Sequence, residues 1–309
     1  VLVKIYVKRK YPALDFYAEP NEGALKQKNA ALLHQVVGII VNNTDTTVLT
    51  ICLGAKSLLE VSVYGIYMMV VNAVNQLMTS FSNGLTAGFG EVIAKNEEET
   101  LKKSYSSYEY MYFVIMFIVI ACMGVLILPF VGVYTINLTD VQYVRPVLGI
   151  LFTLIVFMQN VRIPGLTIIC AAGHYKETRY QAILEAVINI TVSLGLVWKF
   201  GMAGVLLGTV CSYGYRSFEI VFYTSRHLVK GCAKKSMFRI LRNVFTVAIL
   251  CTVGTYVIPQ EITSFTTWFL YAIGMGLTSV FFVVVINYVV EPDEFMQLRH
   301  RVNDIIKKE

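Results

Sequence analysis

Charge is what this sequence has least of. Only 15% of its residues are Asp, Glu, Lys or Arg, against about a quarter in a typical globular chain. So little charge excludes an ordinary soluble domain, and with 56% hydrophobic residues and a mean hydropathy of +0.62 the chain reads as an integral membrane protein. Histidine is thin as well, with four scattered residues that suggest no metal site. The six cysteines, Cys52, Cys122, Cys170, Cys211, Cys232 and Cys251, have no paired spacing and read as small apolar side chains. No Walker motif occurs, and no cofactor, catalytic residue or enzymatic activity is expected. Any transport therefore has to be driven by a gradient, by membrane potential or by a partner.

What the sequence does have is long apolar runs. Eight stand out, at residues 31–53, 62–88, 109–134, 146–171, 180–198, 202–224, 243–258 and 265–290. A span takes about 17 to 25 residues, and the seventh run is the shortest. The expected fold class is all-α, a multi-span helical membrane bundle.

The net charge of +6 raises nucleic acid as a partner, but the distribution of the charge excludes it. If the chain starts on the cytoplasmic side, the segments facing in carry 21 of the 26 basic residues, and those facing out carry three, Lys56, Arg145 and Lys199. Arg162 and Arg216 lie within apolar runs. This asymmetry predicts an even number of spans with both ends of the segment cytoplasmic.

The opening "VLVKIYVKRK" reads as the last turns of a helix leaving the membrane, which predicts that the chain continues a longer protein. Two basic loops, 4–29 and 225–242, then divide it. Residues 1–29 form the end of a preceding helix and a basic loop, residues 30–225 a six-helix half, and residues 226–309 a basic loop, a terminal helix pair and a tail. Within the first loop, "ALKQKNAALLHQ" is either an amphipathic helix on the membrane surface or the cytoplasmic end of a long first helix.

The runs differ in polarity. Those at 109–134 and 265–290 are apolar all round and are expected to face lipid. In the first, His34, Gly38, Asn42 and Asp45 recur at helical steps; in the second, Asn72, Asn75 or Gln76, Thr79, Asn83 and Thr86 do the same. Polar groups in a bilayer must be satisfied within the protein, so the two stripes either glue helices together or line a water-filled cavity. Asn42, Asn72, Gln76 and Asn83 are the candidate cavity amides.

Asp45 sits near the middle of its run, where an ionised carboxylate costs about 2.5 to 3.5 kcal/mol, so it needs a cavity or a partner. It is a candidate to bind a coupling cation, carry a proton or hold an arginine. Arg162 is its expected partner, two residues before a Pro164–Gly165 pair that predicts a kink. A buried guanidinium forms forked bonds to carboxylate or phosphate, so Arg162 is either half of an ion pair with Asp45 or a receptor for an anionic headgroup. Glu185, Arg216 and Glu219 lie nearer the cytoplasmic ends of their runs and either snorkel or pair with one another. Glu185 is a second candidate for ion coupling.

The stretch from Arg162 to Tyr213, "RIPGLTIICAAGHYKETRYQAILEAVINITVSLGLVWKFGMAGVLLGTVCSY", carries four short patterns in order. They are Arg-x-Pro at Arg162 and Pro164, Ala-Ala-Gly at Ala171 to Gly173, Glu-Ala-x-x-Asn at Glu185 to Asn189, and Gly-x-x-Gly-Val-x-x-Gly-Thr from Gly201 to Thr209. In that order the stretch resembles polysaccharide flippases of the MATE-like exporter superfamily. "NNTDTTVLTICLG" followed by "VYGIYMMVVNAV" resembles the first two helices of that family's second half.

The resemblance implies the second half of a MATE-like transporter plus two extra C-terminal helices, in a bacterial cell membrane. The cargo it implies is a polyprenyl-diphosphate-linked oligosaccharide, moved by alternating access for capsule, O-antigen or exopolysaccharide. The implied partners are that lipid-linked oligosaccharide, membrane lipids, an N-terminal helical half of the same protein and a polysaccharide polymerase. Arg162 would meet the diphosphate or an acidic sugar. The rivals are a drug/cation antiporter of the same superfamily, a membrane polymerase or ligase acting on the same glycan, and a non-transporting scaffold.

Overall fold

The computed structural model describes residues 6–7, 9–10, 27–83, 85–259, 261–296 and 299. Most of the basic segment ahead of residue 27 and nearly all of the tail beyond 296 lie outside the described residues, so the expectations that fall there have no structural counterpart.

Every regular element among the described residues is helical. In chain order they are α1 (Lys28–Cys52), α2 (Ser57–Ser82), α3 (Leu85–Ala94), α4 (Glu98–Tyr134), α5 (Pro146–Val161), α6 (Ile163–Ala171), α7 (Arg179–Phe200), α8 (Met202–His227), α9 (Ala233–Val257) and α10 (Phe265–Val290). Among the described residues all eight expected runs fall mainly on helices, the second interrupted at Asn83 and the fourth at Arg162. Six helical stretches among the described residues are long and apolar enough to cross a membrane: Gly54–Ala94, Glu98–Tyr134, Pro146–Ala171, Arg179–Phe200, Ala233–Val257 and Phe265–Val290. The chain is an all-α, multi-pass membrane protein.

Helices α1 and α8, at 25 and 26 residues, have the length of a span but are not among the six apolar stretches. Part of the polar content of each is buried: Thr44 and Asp45 of α1, and Thr209, Ser212, Arg216 and Ser217 of α8. Helix α8 packs along α7 and touches α5, while α1 lies against α7 and α2.

The tight α7–α8 hairpin is prepared by glycine. Gly201, at φ 57° and ψ −134°, makes a turn that a side chain would strain. A Cβ on Gly204 would strike the backbone of Leu196, and one on Gly208 would lie 2.7 Å from the Ser193 amide nitrogen. Small residues at these steps let the two backbones touch.

Helix α4 corrects an expectation. Its uniformly apolar surface pointed to lipid, yet α4 is the hub of the bundle, packed by α10, α9, α5, α2, α3 and α6. Phe113, Met116, Phe117, Ala121, Val125 and Val131 are all 1% exposed or less. A helix apolar on every side is equally suited to burial among other apolar helices, and the pattern does not distinguish the two. Helix α10, the other all-apolar run, does face outward, with Phe269, Leu270, Leu277 and Phe281 exposed.

The 146–171 run breaks where Pro164 forbids a continuous ladder. Helix α5 ends at Val161, Arg162 stands between the two helices, and Pro164 occupies the first turn of α6. The basic loop expected at 225–242 shortens to residues 228–232, because α9 begins at Ala233 and carries Arg239 and Arg242 within it.

Candidate functional site

Two adjoining cavities run along α1. The larger, about 430 Å³, is lined by His34, Gly38 and Asn42 of α1, by Gln159 and Arg162 at the α5–α6 break, and by Glu185, Tyr213 and Arg216 of α7 and α8. The smaller, about 370 Å³, is lined by Asn42, Asp45, Tyr64, Asn72, Asn75, Gln159, Thr209 and Tyr213. Both walls include Val41, Asn42, Gln159 and Tyr213. The α1 stripe read from the sequence is therefore a cavity-lining stripe.

The charged groups of the larger cavity form an alternating chain. Arg162 Nη1 pairs with Glu185 Oε1. The other oxygen, Glu185 Oε2, lies 3.6 Å from Arg216 Nε, and Arg216 Nη1 pairs with Glu219 one turn on. One carboxylate thus sits between two guanidinium groups, and both arginines have an acidic partner. The face of Tyr213 lies under the Arg162 guanidinium at 4.5 Å from the ring centroid, which adds a cation–π contact. Arg162 keeps 15% of its side-chain surface open. At the end of the cavity nearer the start of α1, His34 Nε2 lies 3.0 Å from the carbonyl oxygen of Tyr175, which fastens the 172–178 turn to α1.

The expected Arg162–Asp45 pair is not what forms. Asp45, 4% exposed, accepts from Thr209 Oγ1 at 2.7 Å and from the Tyr64 hydroxyl at 3.3 Å. Asn189 Nδ2 donates in turn to Thr209 Oγ1 at 3.0 Å, and Asn189 Oδ1 is buried without a partner. The reason for the changed pairing lies one helix away. Glu185 reaches the α5–α6 break from α7, and α8 presents a hydroxyl, Thr209, at the level of Asp45. For Glu185, Arg216 and Glu219, pairing with one another is the alternative that holds.

The α2 stripe divides. Asn72 and Asn75 line the smaller cavity. Asn75 accepts from Asn160 Nδ2 and donates to Gln159 Oε1, both at 2.9 Å, and the Tyr112 hydroxyl donates to Asn160 Oδ1 at 2.8 Å. Gln76 and Asn83 are exposed and line neither cavity. Asn83 instead closes α2, its backbone N–H bonded to the Thr79 carbonyl.

A second polar cluster escaped the sequence reading. Arg239, 1% exposed, donates to Glu109 of α4 at 3.0 Å and to Glu291, just past α10, at 2.7 Å. Arg242 adds a 2.8 Å bond to Glu291, and Lys235 a 2.7 Å bond to Glu294. Three acids and three bases tie α9 and α10 to one end of α4. The basic residues were legible only as a loop's charge, although their spacing of three and four residues was already that of a helix face.

Among the described residues no group of three or more His, Cys, Asp or Glu side chains is placed to hold a metal ion. No protein-family model matches the chain, and no curated protein matches its sequence.

Chemically, the larger cavity offers guanidinium donors whose present acceptor is a carboxylate, the group a phosphate most resembles. The smaller offers a buried carboxylate among hydroxyl and amide oxygens, a donor set suited to a hard monovalent cation or to a proton.

Proposed function

We propose that the chain is the second half, with two further C-terminal helices, of a bacterial cell-membrane flippase, both ends of the segment being cytoplasmic. Its cargo is a polyprenyl-diphosphate-linked oligosaccharide, moved by alternating access, and no covalent chemistry is involved. The observation that carries this reading is the Arg162–Glu185–Arg216 triplet on the wall of a polar cavity of about 430 Å³. Guanidinium groups sharing one carboxylate form a site where a diphosphate can compete for their donors, with Glu185 turning aside or taking up a proton to make room. Arg162 stands at a broken helix, where the chain has the freedom to reorient as the cavity changes sides.

Asp45, with Thr209, Asn189 and Tyr64, is the ion-coupling position in this reading. A buried carboxylate held by neutral groups takes up a cation or a proton readily. The same feature favours the second reading, a drug/cation antiporter, in which Asp45 meets the cargo.

Complementation separates the two. The gene's complete reading frame is expressed in bacteria that lack their own polysaccharide flippase, and surface polysaccharide is scored for wild type and for Arg162→Ala at matched protein levels. The flippase reading expects restoration by the wild type and loss with Arg162→Ala. New drug resistance without restoration in any of several glycan backgrounds overturns it in favour of the antiporter. Restoration by both proteins reduces Arg162 to a structural residue.

A further inference from the structure

Tyr213 belongs to both cavities. Buried at 4% exposure, it lines the larger with Arg162 and Glu185 and the smaller with Asn42 and Asp45. On α8 it stands one turn after Thr209 and one turn before Arg216, so one helix face sends three side chains to three partners. Thr209 reaches Asp45 at 2.7 Å, Tyr213 reaches Asn42 Oδ1 at 3.2 Å, and Arg216 reaches Glu185 at 3.6 Å. Asn42 and Asp45 are themselves one turn apart on α1. Helices α1 and α8 are thus joined by two neighbouring rungs, and the aromatic ring of one rung carries the Arg162 guanidinium.

We infer that Tyr213 is a positioning residue that couples the Asp45 cavity to Arg162. Its hydroxyl ties it to α1 beside Asp45 and its ring supports the guanidinium, so a cation or proton arriving at Asp45 changes how Arg162 is held. The inference rests on the reading of the two cavities as the ion and anion sites of one transport cycle. Its physical basis is local. Neutralising Asp45 weakens the pull on the Thr209 and Tyr64 hydroxyls, which loosens one rung between α1 and α8. The Asn42–Tyr213 rung, one turn away, must then shift, and the ring beneath Arg162 shifts with it. Coupling of this kind is reciprocal: an anion that draws Arg162 off the ring alters the hold on a cation at Asp45.

The first test needs no ligand. Thermal unfolding midpoints of the purified protein in detergent are measured for Asp45→Asn, Arg162→Lys and the double change, first with Tyr213 and then in the Tyr213→Phe background. Phenylalanine keeps the ring and removes the bond to Asn42. Residues that share no link contribute additively, so the expected result is a non-additive pair with Tyr213 and an additive pair with Tyr213→Phe. Asn42→Ala cuts the same bond from the other side and is expected to act alike. Additivity with Tyr213 in place, or non-additivity that survives both cuts, overturns the inference.

The second test titrates inorganic pyrophosphate calorimetrically at pH 5.5 and 7.5, with and without sodium. Pyrophosphate itself changes protonation between these pH values, so the effect is read as a difference between proteins. The wild type is expected to change affinity by about 5-fold or more beyond the change seen in Tyr213→Phe, which keeps only the ligand's own pH dependence. A profile unchanged by Tyr213→Phe overturns the coupling. Protein that binds no pyrophosphate but keeps the Tyr213-dependent non-additivity refutes the anion-cavity reading while the coupling stands.

Discussion

Glu185 has one carboxylate for two arginines, and that arithmetic governs what its loss does. Glu185→Gln leaves Arg162 with Tyr213 alone and Arg216 with Glu219 alone. Removing one member of a buried ion pair typically costs about 3 to 5 kcal/mol. Asp45→Asn is expected to cost less, about 1 to 3 kcal/mol, because the partners it leaves are neutral hydroxyls. Thermal unfolding in detergent checks the order, and a Glu185→Gln protein more stable than Asp45→Asn contradicts it. At this scale the sequence was informative about which residues matter and silent about who meets whom. Arg162, Asp45 and Glu185 stood out as charges in apolar runs, but their pairing depends on the relative heights of α1, α7 and α8, which no spacing within one helix records. Tyr213 was hidden for a different reason, since a tyrosine in an apolar run reads as packing until its neighbours are known.

Helix contacts explain both a success and a failure of periodicity. The glycine steps on α8 let its backbone close on α7, and Gly208 contrasts with Gly214. A Cβ on Gly208 would lie 2.7 Å from the Ser193 nitrogen and 3.0 Å from the Asn189 carbonyl oxygen, whereas one on Gly214 meets nothing within 4 Å. Gly208→Ala is expected to destabilise by about 1 to 3 kcal/mol. Gly214→Ala is expected to be neutral or to stabilise by up to about 1 kcal/mol, and equal effects in unfolding experiments contradict the packing described.

The attachment of α10 offers a pH test. Burial pushes the carboxyl groups of Glu291 and Glu294 up, but bonds and charge from Arg239 and Arg242 at Glu291, and from Lys235, Ser106 and Arg239 at Glu294, outweigh it and hold both below the ordinary glutamate value. A depressed folded value means that the stabilisation is present above the ordinary glutamate range and is lost as pH falls through the lower folded values. Protection from hydrogen exchange at residues 287–296, taken against the intrinsic rate at each pH, is expected to hold down to about pH 4.5 and to fall below it. In Glu291→Gln it is low already at neutral pH. Periodicity failed at α4, because an all-round apolar helix fits lipid and a protein core equally well, and only the partners α9 and α10 decide between them.

For the whole molecule, fold class was legible, and six of the eight expected runs coincide with helical stretches long and apolar enough to cross, because a bilayer imposes length and polarity directly on the sequence. The break at Arg162 was legible because proline cannot extend a helical ladder. The side-by-side arrangement of two cavities was not, since it arises from packing between distant runs. The asymmetry of basic residues predicts an orientation. Lys56 and Lys230 are both exposed, and in a background with the six cysteines replaced, Lys56→Cys is expected to react with an impermeant maleimide from outside intact cells. Lys230→Cys is expected to react only after permeabilisation, and the reverse pattern contradicts the orientation.

The central claim is that the Arg162 cavity carries the diphosphate of a lipid-linked glycan across the membrane. Its most direct measurement reconstitutes the product of the complete reading frame into liposomes with a fluorescent polyprenyl-diphosphate oligosaccharide and follows how much becomes accessible to an impermeant quencher. The account predicts that the wild type exposes the inner-leaflet pool, while Arg162→Ala of equal stability leaves about half of the probe protected. Equal exposure by both proteins, or protection in both at the level of empty liposomes, contradicts it.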